Sequence, residues 1–346
     1  MSNQVLYRKY RPQKFDEVLG QEHIIKVLKG ALKLGNISHA YLFSGSRGTG
    51  KTSVARIVAR ELGCSDNDIH EIDAASNRGI DDVRALREAV RSLPFDSKYK
   101  IYIIDEVHML TKEAFNALLK TLEEPPPHVV FILATTELEK VPETIISRCQ
   151  TFVFKKPTEA ILKSFTEEIA KKEGFGLEGE GAELIAILGD GSFRDTHGIL
   201  EKIFSFSRDK KISLKEIEEV TGAPSRSSVH GFIQALADGS LENGLASIEK
   251  VNKNNLDAKV FLKLVLYKLR MIFLLRYSKE AKTDMAEKVG KEELNFLTDL
   301  SKNKSKYLSA NTLSLFLGAY QEMRYAFIPE LPLELALIKI LSQNDK

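Results

Sequence analysis

Residues 40–63 read AYLFSGSRGTGKTSVARIVARELG, and this stretch decides the architecture. AYLFSG, residues 40–45, reads as a strand that ends in a glycine-rich turn, and TSVARIVARELG, residues 52–63, reads as a helix. Between them GSRGTGKT, Gly45 to Thr52, matches G-x-x-x-x-G-K-[ST] and stands where that pattern requires, after a strand and before a helix. Gly45, Ser46, Arg47, Gly48, Thr49 and Gly50, with Lys51, Thr52 and Ser53 opening the helix, would wrap a phosphate chain. The glycines let backbone N–H groups come close to it, and the helix start adds partial positive charge. Lys51 would reach the β- and γ-phosphates of a nucleoside triphosphate, and Thr52 would ligate Mg²⁺. A plain glycine-rich turn is the competing reading; motif and context together weigh against it.

Outward from this loop, β-rich runs alternate with helical ones. IHEIDA (69–74), YKIYIIDE (99–106), VVFILATT (129–136) and QTFVF (150–154) read as further strands. DDVRALREAVRSL and KEAFNALLKTLEE read as the helices between them, the latter ending at Pro125, Pro126 and Pro127. The alternation predicts an α/β domain with a parallel sheet covered by helices on both faces, and the apolar runs IYII and VVFIL suit strands buried on both sides. Lys155, Lys156 and Pro157 read as a hinge. From there to Gly222 the periodicity is helical only, and a turn at Gly222, Ala223 and Pro224 opens a third, also helical segment. The expected domains are 1–157, 158–222 and 223–346.

Composition sets outer limits. The chain has 346 residues, 50 basic and 48 acidic side chains, and two cysteines, Cys64 and Cys149. A net charge of +2 neither demands nor excludes nucleic acid, because local patches decide binding. Two cysteines outside any paired motif fit a reducing, cytoplasmic setting. MSNQVLYRKYRPQKF has no apolar core to direct secretion. The most apolar stretch, Phe261 to Tyr277, is interrupted by Lys263, Lys268, Arg270 and Arg276, and reads as a buried amphipathic helix rather than a membrane span.

Other residues carry chemistry in company with the loop. Asp105 and Glu106 end the strand IYII; Asp105 would hold Mg²⁺ and Glu106 would polarise an attacking water, as phosphoryl transfer to water requires. His108 follows, and reads as a cap or packing residue. Thr135 or Thr136, at the end of the next strand, would place a hydroxyl where it senses a γ-phosphate. Arg148 in ISRCQ and Arg194 in GDGSFRD could stabilise transition-state charge, although each taken singly reads as a surface salt-bridge partner.

YRKYRPQKFDEVLGQEH, GSRGTGKTS, EIDAASNRGIDDVR, YIIDEVHML, NALLKTLEEPP, ILATTELEKVPETIISRCQTF and GSFRDTHGILEK stand in an order that resembles the gamma/tau subunits of bacterial DNA polymerase III. The resemblance is dense from Val5 to Gly222 and looser beyond, where PLELALIKIL is similar to the end of that family's helical collar. It implies a P-loop AAA+ ATPase domain, a helical lid carrying a second sensor, and a collar for oligomerisation. It implies a clamp-loader ATPase of the polymerase III holoenzyme, using ATP and Mg²⁺ and joining other loader subunits, the sliding clamp and the backbone of primed DNA, with no membrane partner. Under it, Gly45, Gly50, Lys51 and Thr52 belong to the phosphate loop, Asp105 and Glu106 are the metal and catalytic carboxylates, and Thr136 and Arg194 are the two nucleotide sensors. Arg148 is the arginine finger offered to a neighbouring subunit, and Tyr7, Arg8, Pro12 and Val18 form the adenine-side segment.

The family usually carries four zinc-binding cysteines after its first helix; here Gly63-Cys64 runs through SDND into IHEIDA, and Cys64 with His70 cannot supply four ligands, so no zinc is expected. Ser76, Asn77 and Arg78 precede a helix, where N–H groups at its start and one arginine would suit a DNA phosphate; a capped helix with a surface arginine is the alternative. Two other functions remain in play: a hexameric branch-migration helicase of the same superfamily, and a non-hydrolysing nucleotide-binding scaffold.

Overall fold

In the computed structural model, which describes residues 5–278, 290–303 and 305–342, the β-rich runs pair as one five-stranded parallel sheet. The strands are β1 Ala40–Ser44, β2 Ile69–Asp73, β3 Lys100–Asp105, β4 Val129–Thr135 and β5 Gln150–Val153, in the spatial order β2-β3-β4-β1-β5. Register sets Ser44 against Thr135 and Asp73 against Asp105, so the polar ends of four strands line one edge. Alternate residues face opposite sides. Leu42, Tyr102, Ile104, Phe131 and Leu133 pack under α4 (Ile80–Val90), α5 (Lys112–Glu123) and α6 (Glu143–Ile146). Tyr41, Phe43, Ile101, Ile103 and Ile132 pack under α2 (Glu22–Leu34) and α3 (Lys51–Glu61), while α1 is the short Leu6–Lys9. Burying each such side chain contributes about 1.5–3 kcal/mol, which is why strands apolar on both sides sit in the middle of the sheet.

The next helices are α7 Glu159–Lys172, α8 Gly179–Leu188, α9 Phe193–Phe206, α10 Leu214–Thr221, α11 Arg226–Asp238, α12 Leu241–Lys253 and α13 Ala258–Tyr277. Three more span Lys291–Lys302, Ala310–Glu322 and Leu331–Ser342. One correction falls in this region. Residues 158–222 are not helical throughout, because β6 (Gly176–Leu177) pairs with β7 (Lys211–Ile212) in parallel. Two residues per strand are too few for any periodicity to register. α10 opens with a capping box, Ser213 with Glu216, and closes at Gly222 with φ 67°, which is the turn expected from Gly222-Ala223-Pro224.

The contacts draw two compact units: residues to Leu162 with Gly189–Gly198, and Lys163–Leu188 with residues from Ile199 onward. Residues 189–198 therefore group with the sheet, although the sequence division assigns them to 158–222. The physical reason is local: the Phe193 N–H donates to Gly48 O at 3.0 Å, and Lys156 approaches Asp190 at 3.6 Å. Within the second unit α13 is buried through Phe261, Leu262, Val265, Leu269 and Ile272. Its Arg276 donates to the carbonyls of Ser301 (3.1 Å), Asn303 (2.9 Å) and Leu308 (2.8 Å), closing the end of the helix Lys291–Lys302. Among the described residues no helix is long and apolar enough to cross a membrane.

Candidate nucleotide site

The loop between β1 and α3 is shaped by its glycines. Gly45, Gly48 and Gly50 take φ of 144°, 74° and 101°, in the region that disfavours side chains. Space forbids side chains at two of them as well. A Cβ at Gly45 would lie 2.5 Å from Phe154 O, and one at Gly48 would strike the Ser192 hydroxyl. The Gly45 N–H donates to Thr135 O at 3.2 Å, tying the loop to the end of β4, and Thr49 Oγ1 donates to Ser46 O at 2.9 Å. Gly50 is the N-cap of α3 and offers no side-chain acceptor to the first N–H groups of that helix.

Lys51 is only 6% exposed, and its ammonium donates to Gly45 O (2.7 Å) and Ser46 O (3.0 Å). Burial lowers its pKa, with Asp105 and Glu106 opposing that shift. Thr52 Oγ1 donates to Asp105 Oδ2 at 2.8 Å, so the hydroxyl and carboxylate expected to share Mg²⁺ already stand together. Glu106 has φ 50°, a left-handed backbone unusual for glutamate and of the kind that collects at functional sites. Its N–H donates to Asp105 Oδ1 at 3.0 Å, and its Oε2 accepts from Thr136 Oγ1 (2.9 Å) and Thr136 N–H (3.3 Å). The two threonines left open by the sequence thus have different partners: Thr136 meets Glu106, while Thr135 Oγ1 meets His108 Nδ1 at 3.0 Å.

Arg194 reaches the same unit, its guanidinium 5.3 Å from the centroid of the Tyr7 ring; Arg8 stands 5.8 Å from that ring. Arg11, which no motif singles out, joins them. Burial lowers its pKa first, and the charges of Arg56 and Arg194 add to that while Glu71 opposes it. Val18 packs against the core beside α2, and Pro12 is half-buried. Arg47 is exposed and Ser53 half-buried.

Arg148 joins none of these. It donates to Glu123 Oε1 (2.6 Å), at the end of α5, and to Thr144 O (2.7 Å). Before α4, Asp73 takes the N–H groups of Ala75 (2.9 Å), Ser76 (3.1 Å) and Asn77 (2.9 Å), and Asp82 takes that of Gly79 (3.0 Å). These N–H groups before the helix already have acceptors, and the exposed Arg78 side chain stands beside them at the helix start. Cys64 Sγ donates to Tyr99 O at 3.4 Å and is pushed up to about 11 by burial, while His70 stacks on Tyr102 with centroids 5.0 Å apart.

A phosphate loop after β1, an acidic pair at the end of β3 one strand further along the sheet, and a sheet ordered β2-β3-β4-β1-β5 define a P-loop nucleotide-binding fold of the AAA+ class. The fold agrees with a Thermotoga maritima RuvB branch-migration motor, at TM-score 0.53 and 24% identity over 66% of this chain and 79% of that one. The family model described as DNA polymerase III, delta subunit matches residues 20–79 and 66–158, and that for domain III of DNA polymerase III subunits gamma and tau matches 212–346. The DNA polymerase III subunit gamma of Buchnera aphidicola subsp. Schizaphis graminum is 32% identical over 364 residues, 99% of each chain. The subunit tau of Bacillus subtilis is 38% identical over 367 residues, all of this chain and 64% of its own length. The chain belongs to the DNA polymerase III gamma/tau family. It spans about two thirds or less of several longer relatives, 53% in the case of Mycoplasma genitalium.

Proposed function

We propose that this chain is an ATP-hydrolysing subunit of a clamp loader, acting in the cytoplasm during DNA replication within the polymerase III holoenzyme. The observation that carries the reading is one cluster: the buried Lys51, the Thr52–Asp105 pair, and Glu106 held by Thr136. The donor set fits a triphosphate with Mg²⁺. Thr52 and Asp105 would hold the metal, which neutralises charge on the transferring phosphoryl oxygens. Lys51, now satisfied only by loop carbonyls, would turn its protons to the β- and γ-phosphates. Glu106 would orient the water, and Arg194 with Tyr7 and Arg8 would close over the nucleotide side. Arg148 would serve a neighbouring subunit after leaving Glu123. Arg78 would meet DNA phosphate.

Assembly into a ring of loader subunits is supported by apolar side chains exposed near the end of the chain: Tyr325, Phe327, Ile328, Leu331 and Leu335. Such a patch marks a surface that a partner covers. On this reading 1–157 is the ATPase domain, 158–222 a lid and 223–346 a collar. The test is steady-state ATP turnover of the full chain with partner subunits, without and with clamp and primed DNA. Stimulated turnover that Lys51→Ala abolishes is expected; a chain that binds nucleotide but never turns over would be the scaffold instead.

A further inference from the structure

We propose that His108 is a positioning residue for ATP hydrolysis, fixing which oxygen of Glu106 meets the water; this rests on the hydrolytic reading above. The sequence presents His108 as a packing residue, and it is buried, its side chain 6% exposed. Yet an oxygen faces its ring at each nitrogen. Nε2 faces Glu137 Oε1 at 3.2 Å, and Glu137 is pinned from its other side by Lys140 Nζ at 2.7 Å. Nδ1 faces Thr135 Oγ1 at 3.0 Å and Glu106 Oε2 at 3.4 Å. Thr135 in turn accepts the Gly45 N–H of the phosphate loop on its carbonyl and the Glu137 N–H (3.0 Å) on its hydroxyl.

The consequence lies at the carboxylate. Among the described residues every contact to the Glu106 side chain falls on Oε2: the Thr136 hydroxyl, the Thr136 N–H and His108 Nδ1. Oε1 is left for the water. A carboxylate on a flexible stem would otherwise rotate, and the strained backbone at Glu106 fixes only where that stem begins. The ring therefore connects the phosphate loop, through Thr135, to the group that orients the nucleophile. His108 touches no reacting atom and acts through Glu106.

Two substitutions separate the two ring nitrogens. An asparagine amide reaches the position of Nδ1, and a glutamine amide that of Nε2, so His108→Asn keeps the contact with Glu106 and Thr135 while His108→Gln keeps that with Glu137. The full chain, with its partner subunits, clamp and primed DNA, would be assayed for kcat and KM, and for binding of a fluorescent non-hydrolysable ATP analogue. Lys51→Ala and Glu106→Gln serve as controls. His108→Gln should lose about 100-fold in kcat, the scale of a misplaced reacting group. His108→Asn should stay within about tenfold of the parent, with analogue binding and KM nearly unchanged in both. Equal losses in the two variants, a smaller loss for Gln than for Asn, unchanged kcat in both, or lost analogue binding would each overturn the proposal. Parent turnover that Glu106→Gln leaves intact would instead overturn the hydrolytic reading, and this proposal with it.

Discussion

Lys51 in the first compact unit and Lys268 in the second both hold their ammonium groups largely out of water, and the pair shows how a site differs from a staple. Lys51, at the head of α3, is satisfied by two backbone carbonyls, while Asp105 and Glu106 act on it only at a distance. Lys268, midway along α13, is bonded directly to Glu293, which also takes His230 Nε2 at 3.0 Å and stands 3.4 Å from Arg226 Nε; Arg226 in turn binds Glu180 at 2.7 Å. The second cluster is closed electrostatically. The first holds a buried cation whose dipolar partners a phosphate oxygen can displace at little cost, because charge-assisted bonds are the stronger ones. A cavity of about 80 Å³ beside Lys268 is lined by Glu180, Arg226 and Glu293, which already pair with one another, and by Glu183, whose carboxyl is pushed above the usual range by burial.

The largest effect expected from this contrast is at Lys51. Lys51→Ala should abolish ATP turnover while circular dichroism and the melting temperature stay near the parent's, because no carboxylate loses its partner. Near-parent turnover, with contaminating ATPases excluded, would break the comparison.

Next comes Arg148, whose ion pair with Glu123 is half-exposed and therefore weak. Arg148→Ala should bind ATP normally but lose about 10³- to 10⁵-fold in turnover stimulated by clamp and DNA, the worth of an arginine supplied in trans. Mixed assemblies with Lys51→Ala chains, verified by mass, should recover part of it, since each variant lends what the other lacks. Unchanged stimulated turnover would return Arg148 to the role of a surface salt bridge.

Glu293 sharpens the other half of the comparison. Burial alone would raise its pKa, but the His230 hydrogen bond and the Lys268 ammonium outweigh that and hold it at about 2. Its folded value lies below the unfolded one, so its stabilisation is present above about pH 4.3 and fades as pH falls towards 2, an effect of about 3 kcal/mol. Glu293→Gln should cost roughly 3–5 kcal/mol at pH 7 by leaving buried cations unpaired, read as a fall in the urea midpoint. It should also flatten the acid limb of stability while sparing analogue binding. A variant as stable as the parent would show that the cluster is not closed as described.

The smallest effect belongs to Arg78. Arg78→Ala should weaken binding of the assembled loader to primed DNA alike for unrelated sequences and lower the salt slope by about one ion. An unchanged slope would move the DNA contact elsewhere and leave Arg78 as the surface end of a capped helix.

The sequence by itself determined the five strands, the loop at Gly45–Thr52, the acidic pair at 105–106 and the family, because strands buried on both faces and phosphate loops write themselves in contiguous residues. Only the tertiary structure decided which threonine meets Glu106, that an oxygen faces His108 at each ring nitrogen, that Asp73 occupies the N–H groups before α4, and that residues 189–198 fold onto the phosphate loop. These facts join residues far apart in the chain, such as Gly48 with Phe193 or Lys268 with Glu293. Periodicity reports which face of an element is buried. It carries no record of the side chain that arrives there from another element to share a proton or a charge.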